Sequence, residues 1–522
     1  MRWRGLASTA ALTTIGWACA PRGADRPTVL FASGADLQSI NPLVAVHPLA
    51  RQVQNHVLFL TLAARDSALQ PVPRLGTWEW NEARTDLRFH LRRDVRWHDG
   101  PLTTADDAVW TLERARDPAV AYPRASELRD LAAVVREDSF TVTLRFRTPQ
   151  PTFPDVLTDL AILPSHLLAD VPPGELRAHP FNRAPVGNGP FAFVEYRPNQ
   201  RWVFRRYDGF PASLGRPAIE RFVVVVVDEP ATKLAALTSG ELDFAGISPA
   251  HAAFVQANPR LQVIDYPGAL SYGAIFNQRR PPFDDVRVRR ALSRAIDRRM
   301  IIDGYLHGFG SPAAGPVHPD HPWAEPLVPV PFDPAEARRL LDEAGWRAGP
   351  GGVRTRDGGR LEFDLLTVGS GDLMLEQMLE AQWRAVGAAV RIRRVELATF
   401  LSIAQGPARN FDAIVTGIPG LVSLGHVAAL YDGDGPLAYS GHRSDAAAAA
   451  FARVRSATTE PELEAGWRAV QLVLAREEPS AWLYHARGVQ GAARRIGNVR
   501  MDLRGELAGI SAWSVGDPEA HR

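Results

Sequence analysis

The chain is predicted to be an α/β protein of more than one domain, and three observations carry that reading. At 222–227 a continuous apolar, β-branched run reads as a strand covered on both faces. A helical stretch at 228–239, a stop at Gly240 and an extended pattern at 242–245 complete a β-α-β unit. The 522 residues exceed one typical domain and can bury large cores, so two or three domains are expected. The third observation lies at 71–114, where strand, turn and helix signals follow one another.

From the start of the chain, Met1-Arg2-Trp3-Arg4 is a short basic stretch, and 5–18 is a mostly apolar run too short to span a bilayer. It reads as an export signal over 1–19. The chain's one cysteine, Cys19, ends that run and reads as a lipidation site. Gly16 and Trp17 depart from the usual residues before such a cysteine. A soluble signal cut after Ala18-Cys19-Ala20, and an incidental cysteine, therefore stay open. With no other cysteine, internal disulfides and thiolate metal sites are excluded.

Residues 28–33 read as a first strand, followed by a loop of small and polar residues that carries Asp36. In the 71–114 segment Leu87, Phe89 and Leu91 alternate with Arg88, His90 and Arg92, the period of a half-buried strand. Asp99-Gly100 supplies a turn. Thr104 is a candidate N-cap with Asp107 at N3, opening a helix with Ala108, Val109, Leu112 and Ala115 on its apolar positions.

Further on, 285–301 predicts one helix whose inward face holds Val288, Ala291, Leu292, Ala295 and Ile296, its exposed arginines forming a solvated face. Asp333-Pro334-Ala335-Glu336 opens another helix as a capping box, with Gly345 as its stop. Five glycines at 349–359 lack the strand before and helix after that a phosphate loop needs, so a hairpin or surface loop is expected. Thr459-Glu460-Pro461-Glu462 starts a further helix, and 446–450 is an alanine run inside one.

Fifty-nine basic residues stand against 58 acidic ones, which gives no electrostatic case for a nucleic-acid partner. Lys233 is the only lysine, a bias of composition rather than a phosphate-binding adaptation.

Trp78-Glu79, Phe89 to Arg92, Val95, Trp97 to Gly100, Leu102 to Thr104 and Asp106-Asp107 form a pattern that continues in order along the chain. LPSHLL at 163–168, PVGNGPF at 185–191, Phe276-Asn277, PPFDDVRVRRAL at 281–292, AIDR at 295–298 and 332–346 follow it. Together they resemble the family 5 extracellular solute-binding proteins, the oligopeptide, dipeptide and nickel receptors of ABC importers. That resemblance implies a periplasmic-binding-protein type II-like two-lobe fold with an extra subdomain inserted in the first lobe. The first lobe would span 25–268 plus 481–522, with the insertion at 47–163, and the second lobe 269–480. Crossings between lobes would fall near 265–274 and 481–486, and ligand would close the lobes on itself.

The function implied is capture of a peptide-like small solute outside the cytoplasmic membrane, in the periplasm or on the membrane's outer face, and delivery to ABC importer permease subunits. No cofactor is expected, and a monomer is. A secreted hydrolase is the contrasting class. There is no Gly-x-Ser-x-Gly elbow, His-Glu-x-x-His helix or cysteine nucleophile in the mature chain, although distant Ser, His and Asp residues can still assemble a triad. A sensory or scaffolding descendant of the fold is the third reading.

By the same resemblance Trp110, early in the helix after the His-Asp-Gly turn, would line the pocket, with packing in the inserted subdomain as the alternative. Peptide receptors must satisfy a buried terminal ammonium. The family's strand before that acidic partner is matched by Phe411-Asp412, but 416–426 carries no acidic residue. Asp36 could then supply a substitute carboxylate. His426 falls where nickel-binding relatives contact a metal chelate, which makes it the one candidate metal residue. Asn277 is a candidate hydrogen-bonding pocket wall, and Tyr484 and His485 either reach the cleft or pack within their strand. Arg287, Arg289 and Asp297 are assigned to lobe packing.

Overall fold

The computed structural model describes residues 27–516 apart from 46, 369–372, 420–423, 434 and 436. One mixed sheet organises the chain. Its strands run, edge to edge, Ala389–Val395, Glu362–Val368, Ala413–Pro419, Leu261–Phe276, Ser480–Ala493, Phe244–Gly246, Thr28–Ser33, Arg221–Val226, Arg201–Arg206 and Phe191–Arg197, with Gly310–Pro312 pairing off Ser480–Ala493.

The two central strands are 16 and 14 residues long and antiparallel. They serve both halves of the sheet. On one side a core forms around Val29, Phe31, Phe222, Phe244 and Trp513. On the other, two cores gather Phe276, Phe363 and Trp383, and Ile414, Trp467 and Trp482. Between the halves the ladder slips: Pro267 faces Arg487 and Ser271 faces His485, so 268–270 stand opposite the one residue Ala486. Such a bulge unpairs and bends the strand. Gly268 is required there, because a Cβ would run into the Ala486 carbonyl.

A second, four-stranded antiparallel sheet, Gly76–Trp80, Asp86–Leu91, Thr141–Phe146 and Leu131–Asp138, lies within the segment read as an insertion and joins the first core. In Asp86–Leu91 the expected alternation holds, with Leu87, Phe89 and Leu91 buried and Arg88 and His90 exposed. The strand at 28–33, the run at 222–227 and the helix behind it appear as Thr28–Ser33, Arg221–Val226 and Pro230–Ser239, closed by Gly240 at φ +83°. The extended stretch at 242–245 appears as Phe244–Gly246, and just before it the Asp243 carboxylate accepts from Leu30 N at 2.9 Å and pairs with Arg495. Asp333 caps the helix Pro334–Glu343 through Ala335 N and Glu336 N, and Thr459 and Glu462 exchange hydrogen bonds at the start of Glu460–Glu477. The glycine-rich stretch forms a small three-stranded sheet, Arg347–Ala348, Arg354–Arg356 and Gly359–Arg360.

One expectation is corrected. The single helix at 285–301 is two, Val286–Arg294 and Arg298–Gly304. Asp297 caps the second by accepting Met300 N at 3.0 Å, while the buried Arg298 guanidinium donates to the carbonyls of Ser293 and Ile296 at the end of the first. The arginines of this stretch divide between solvent and packing. Arg289 is 4% exposed and donates to the carbonyls of Phe283, Asp284, Glu477 and Glu478.

Candidate functional site

The signature residues at 97–107, 163–168 and 185–191 meet one another, and their polar groups are spent on that meeting. Asp107 is 2% exposed and accepts from Trp97 Nε1 at 3.1 Å, Thr104 N at 2.9 Å, Ser165 N at 2.8 Å and Ser165 Oγ at 2.7 Å. Asn188 accepts from Leu60 N and donates to Thr103 Oγ1. At Gly187 and Gly189 a Cβ would collide with the backbone of Leu58. His98 Nε2 lies 3.0 Å from Gly189 O, so the proton sits on Nε2. Burial holds that imidazole down to about 4 and hence neutral, against the raising effects of the Gly189 carbonyl and Asp99. Asp99 in turn pairs with His166 at 2.8 Å. The motif binds the small sheet to the first half of the main sheet.

The individual candidates fall in different places. Asp36 accepts from Gln38 N, Asn199 N, Tyr196 OH and Trp202 Nε1, and these hydrogen bonds hold its pKa below the usual value despite the raising effect of burial. Its lone pairs are filled from its own lobe, which corrects the expectation that it stands ready for a ligand's ammonium. Asn277 is 1% exposed, and its amide donates to the carbonyls of Arg409 and Phe411 beneath the strand end, so it braces a wall rather than lining one. Tyr484, 2% exposed, stacks on Tyr272 at 4.9 Å inside the second core. His485 is buried beside it with Nδ1 at 2.7 Å from Ser271 Oγ. Both side chains belong to the packed crossing strand. Trp110 is half-buried against the first core, with Arg114 over its ring at 5.5 Å and an enclosed indole nitrogen without a partner. With Glu113, Arg114, Arg116 and Asp117 it lines a surface depression. Cys19 lies outside the described residues.

His426 is not in a glycine-rich loop. The strand continues as Ala413–Pro419, and His426 occupies the first turn of the helix Gly425–Tyr431, exposed to solvent. Burial by nearby atoms lowers its pKa; Glu127 opposes that shift, and Arg124 and Arg51 add to it. Those three residues come from the other half of the molecule, so the charges of that half reach His426. Arg51 and Arg124 both pair with Asp159 Oδ2, Asn55 donates to Oδ1 at 2.8 Å, and Arg124 also holds Glu127 at 2.6 Å. The charge of Arg65 likewise reaches His321. None of Arg51, Arg124, Glu127 and Asp159 was singled out in the sequence: apart from the i,i+3 pair Arg124 and Glu127, they come from separate segments. Among the described residues no group of three His, Cys, Asp or Glu side chains is arranged to hold a metal ion.

Comparison with known proteins agrees with this architecture. A family model described as bacterial extracellular solute-binding proteins, family 5, matches residues 70–433. Protein XP55 of Streptomyces lividans is 30% identical over 470 residues, which cover 86% of this chain and 83% of that protein. A putative ABC transporter peptide-binding protein of Brucella ovis is 29% identical over 330 residues, covering 62% of this chain; the match spans 61% of that relative's length. The solved structure of the oligopeptide-binding protein AppA from Bacillus subtilis, in complex with a nonapeptide, superposes with a TM-score of 0.78 at 22% identity, covering 94% of this chain and 99% of that one. The fold is thus the two-lobe type II arrangement. With its ordered motifs interlocked as described and the family model spanning most of its length, the chain belongs to family 5 of the bacterial extracellular solute-binding proteins.

Proposed function

We propose that the chain is the solute receptor of an ABC importer, capturing a peptide-like solute between its lobes and presenting it to permease subunits in the membrane. The lobes are 25–268 with 481–522, and 269–480, the insertion being 47–163. The observation that best supports this reading is the slipped ladder between two separately cored halves, which leaves Arg51, Arg124 and Glu127 opposite His426 with only two strands to bend. Trp110 is proposed to meet the solute, and the protein to act as a monomer without cofactor or catalysis.

A ligand that closes the lobes stabilises the folded state by RT ln(1 + [L]/Kd), about 2.7 kcal/mol at a hundredfold excess. A pool of short peptides is expected to raise the unfolding temperature of the purified protein without being consumed, and Trp110→Ala to weaken that response. Hydrolysis of the pool would favour an enzyme. His426, exposed at the space between lobes, motivates one second reading, a nickel chelate. Nickel with excess free histidine should bind saturably and lose that binding on His426→Ala if this is right, with the peptides then inert.

Anchoring is proposed to occur through lipidated Cys19 at the outer face of the cell membrane. Cys19→Ser is expected to release the protein from the membrane fraction of exporting cells; unchanged membrane association would remove the assignment.

A further inference from the structure

The two central strands break register twice. After the slip that sets 268–270 opposite Ala486, only the pairs Ser271–His485 and Tyr272–Tyr484 form before Gly273 faces Trp482 and Leu483 is passed over. Two residue pairs flanked by bulges thus link the halves of the molecule. Ser271 and His485 also meet through their side chains, with Ser271 Oγ 2.7 Å from His485 Nδ1, and both are buried. On its other side His485 pairs with Ser311 of the strand Gly310–Pro312. The chain leaving that strand is tied to the passed-over residue by Ala313 N, which donates to Leu483 O at 3.2 Å. It then brings the buried His318 ring edge-on to His485, at 5.1 Å with 64° between the planes.

These elements offer no anion to His485. His318 Nδ1 accepts from Asp320 N at 3.1 Å, so its proton sits on Nε2 and the ring is neutral. The Asp320 carboxylate stands 3.7 Å from the same Nδ1, out toward solvent, and His321 Nδ1 accepts from Trp323 N at 3.1 Å. On the central strands Arg487 is held by Asp265 at 2.6 Å, and Tyr272 and Tyr484 stack on each other in the second core. The strand Gly310–Pro312 carries no titratable side chain. Burial lowers the pKa of both rings, that of His485 to about 3; Asp320 opposes and Arg487 adds to the shift at His318, and His318 adds to it at His485. A proton on either ring would place a cation in a buried site beside a second imidazole.

We propose that Ser271, His485 and His318 form an acid-sensitive latch on the two-pair link: neutral, the cluster holds the two central strands together, and in acid it gives way and loosens one half of the molecule from the other. Opening the link wets both rings, and the open form takes up protons that the closed form refuses. Each ring that titrates near 6.5 once wetted favours opening about tenfold more at pH 5.5 than at pH 7.5. That loosening lets a solute go rests on the receptor reading above; the latch itself does not.

Hydrogen exchange of the full-length protein without ligand, read by mass spectrometry and corrected for the intrinsic pH dependence of exchange, tests the latch. Amides in 266–274 and 482–488 are expected to be less protected than those in 28–33 and 363–368, to be insensitive to low urea as a local opening is, and to lose protection about a hundredfold from pH 7.5 to 5.5. His485→Gln and His318→Gln should each cut that loss to about tenfold. Link amides that exchange in step with 28–33 and 363–368, or a loss that is absent in the wild type or unchanged in both variants, would overturn the proposal. Retention of the short-peptide pool on the immobilised protein at the two pH values then tests release. Peptides lost in acid from the wild type but kept by His318→Gln tie the latch to release, and equal retention by the wild type at both pH values overturns that role. Should no peptide be retained at either pH, the receptor reading fails while the exchange series still decides the latch.

Discussion

Asp107→Ala is expected to destabilise the protein by roughly 3–5 kcal/mol, the usual cost of removing one partner from a buried, charge-assisted network. The four donors that converge on this carboxylate come from Trp97, from the helix start at Thr104 and from Ser165, so one side chain ties three segments together. Alanine leaves an indole N–H, two backbone N–H groups and a hydroxyl facing an apolar gap. Against a typical folding free energy of about 5–15 kcal/mol, that is a large share. Asp107→Asn keeps the volume and one acceptor, so it should cost less, but its amide must point one N–H toward a donor. Denaturant unfolding of the purified variants, read at constant m-value, measures both. A loss below about 1 kcal/mol for Asp107→Ala would mean that water replaces the carboxylate at little cost, and the organising role assigned to Asp107 would be lost with it.

Asp107 thus gives the pattern at 97–107 an organising role in the fold. The spacing from Thr104 to Asp107 was legible as a capping box, because both partners lie within one helical turn. The second half of Asp107's role was not, because Ser165 is 58 residues away and no local rule links them. The same division runs through the chain. Strands whose register is set by alternation, such as Asp86–Leu91, were readable. So were helix ends set by neighbouring side chains, such as Asp333 and Thr459. Arg289 and Arg298 were not, since their burial depends on carbonyls from 477–482 that only the tertiary fold supplies. The break at 295–297 follows from that burial, although Asp297 as a second cap was a signal that apolar periodicity outweighed. For the site, a residue placed by motif matching could be located along the chain but not oriented. Asp36, Asn277 and Tyr484 each stand near strand ends or crossings, yet their polar atoms or rings are taken up by neighbours. The charges near His426 come from elsewhere in the chain: Arg51 from one segment, Arg124 and Glu127 from a second, and His426 itself from a third.

Unfolding free energy is expected to fall by about 4–6 kcal/mol between pH 7.5 and 5.5, through histidines held neutral by the fold. Burial keeps His98, His321 and His56 down to about 4 and His485 down to about 3. Arg65 and His318 add to the effect at His321, Arg74 and Arg504 at His56, and His318 at His485. In the unfolded chain the same rings titrate near 6.5. Below that value the unfolded state takes up protons that the folded state refuses, so each group's stabilisation is present above about 6.5, declines by about 1.4 kcal/mol per pH unit, and is spent once the folded ring itself titrates near 3–4. Paired carboxylates such as Asp36, Asp285 and Asp502, whose pKa values are lowered, act in the same direction but only at more acid pH. The window from 7.5 to 5.5 therefore isolates the imidazoles. His485, 3% exposed between Ser271 and His318, is the test position. His485→Gln keeps a hydrogen-bonding side chain without the titration, and should flatten the pH dependence by roughly one proton in four. Denaturant titrations of wild type and variant at pH 7.5, 6.5 and 5.5 give the slope directly. Stability that stays level across that range would mean the buried rings accept protons in the folded state, and that the fold gives way around them rather than excluding the charge.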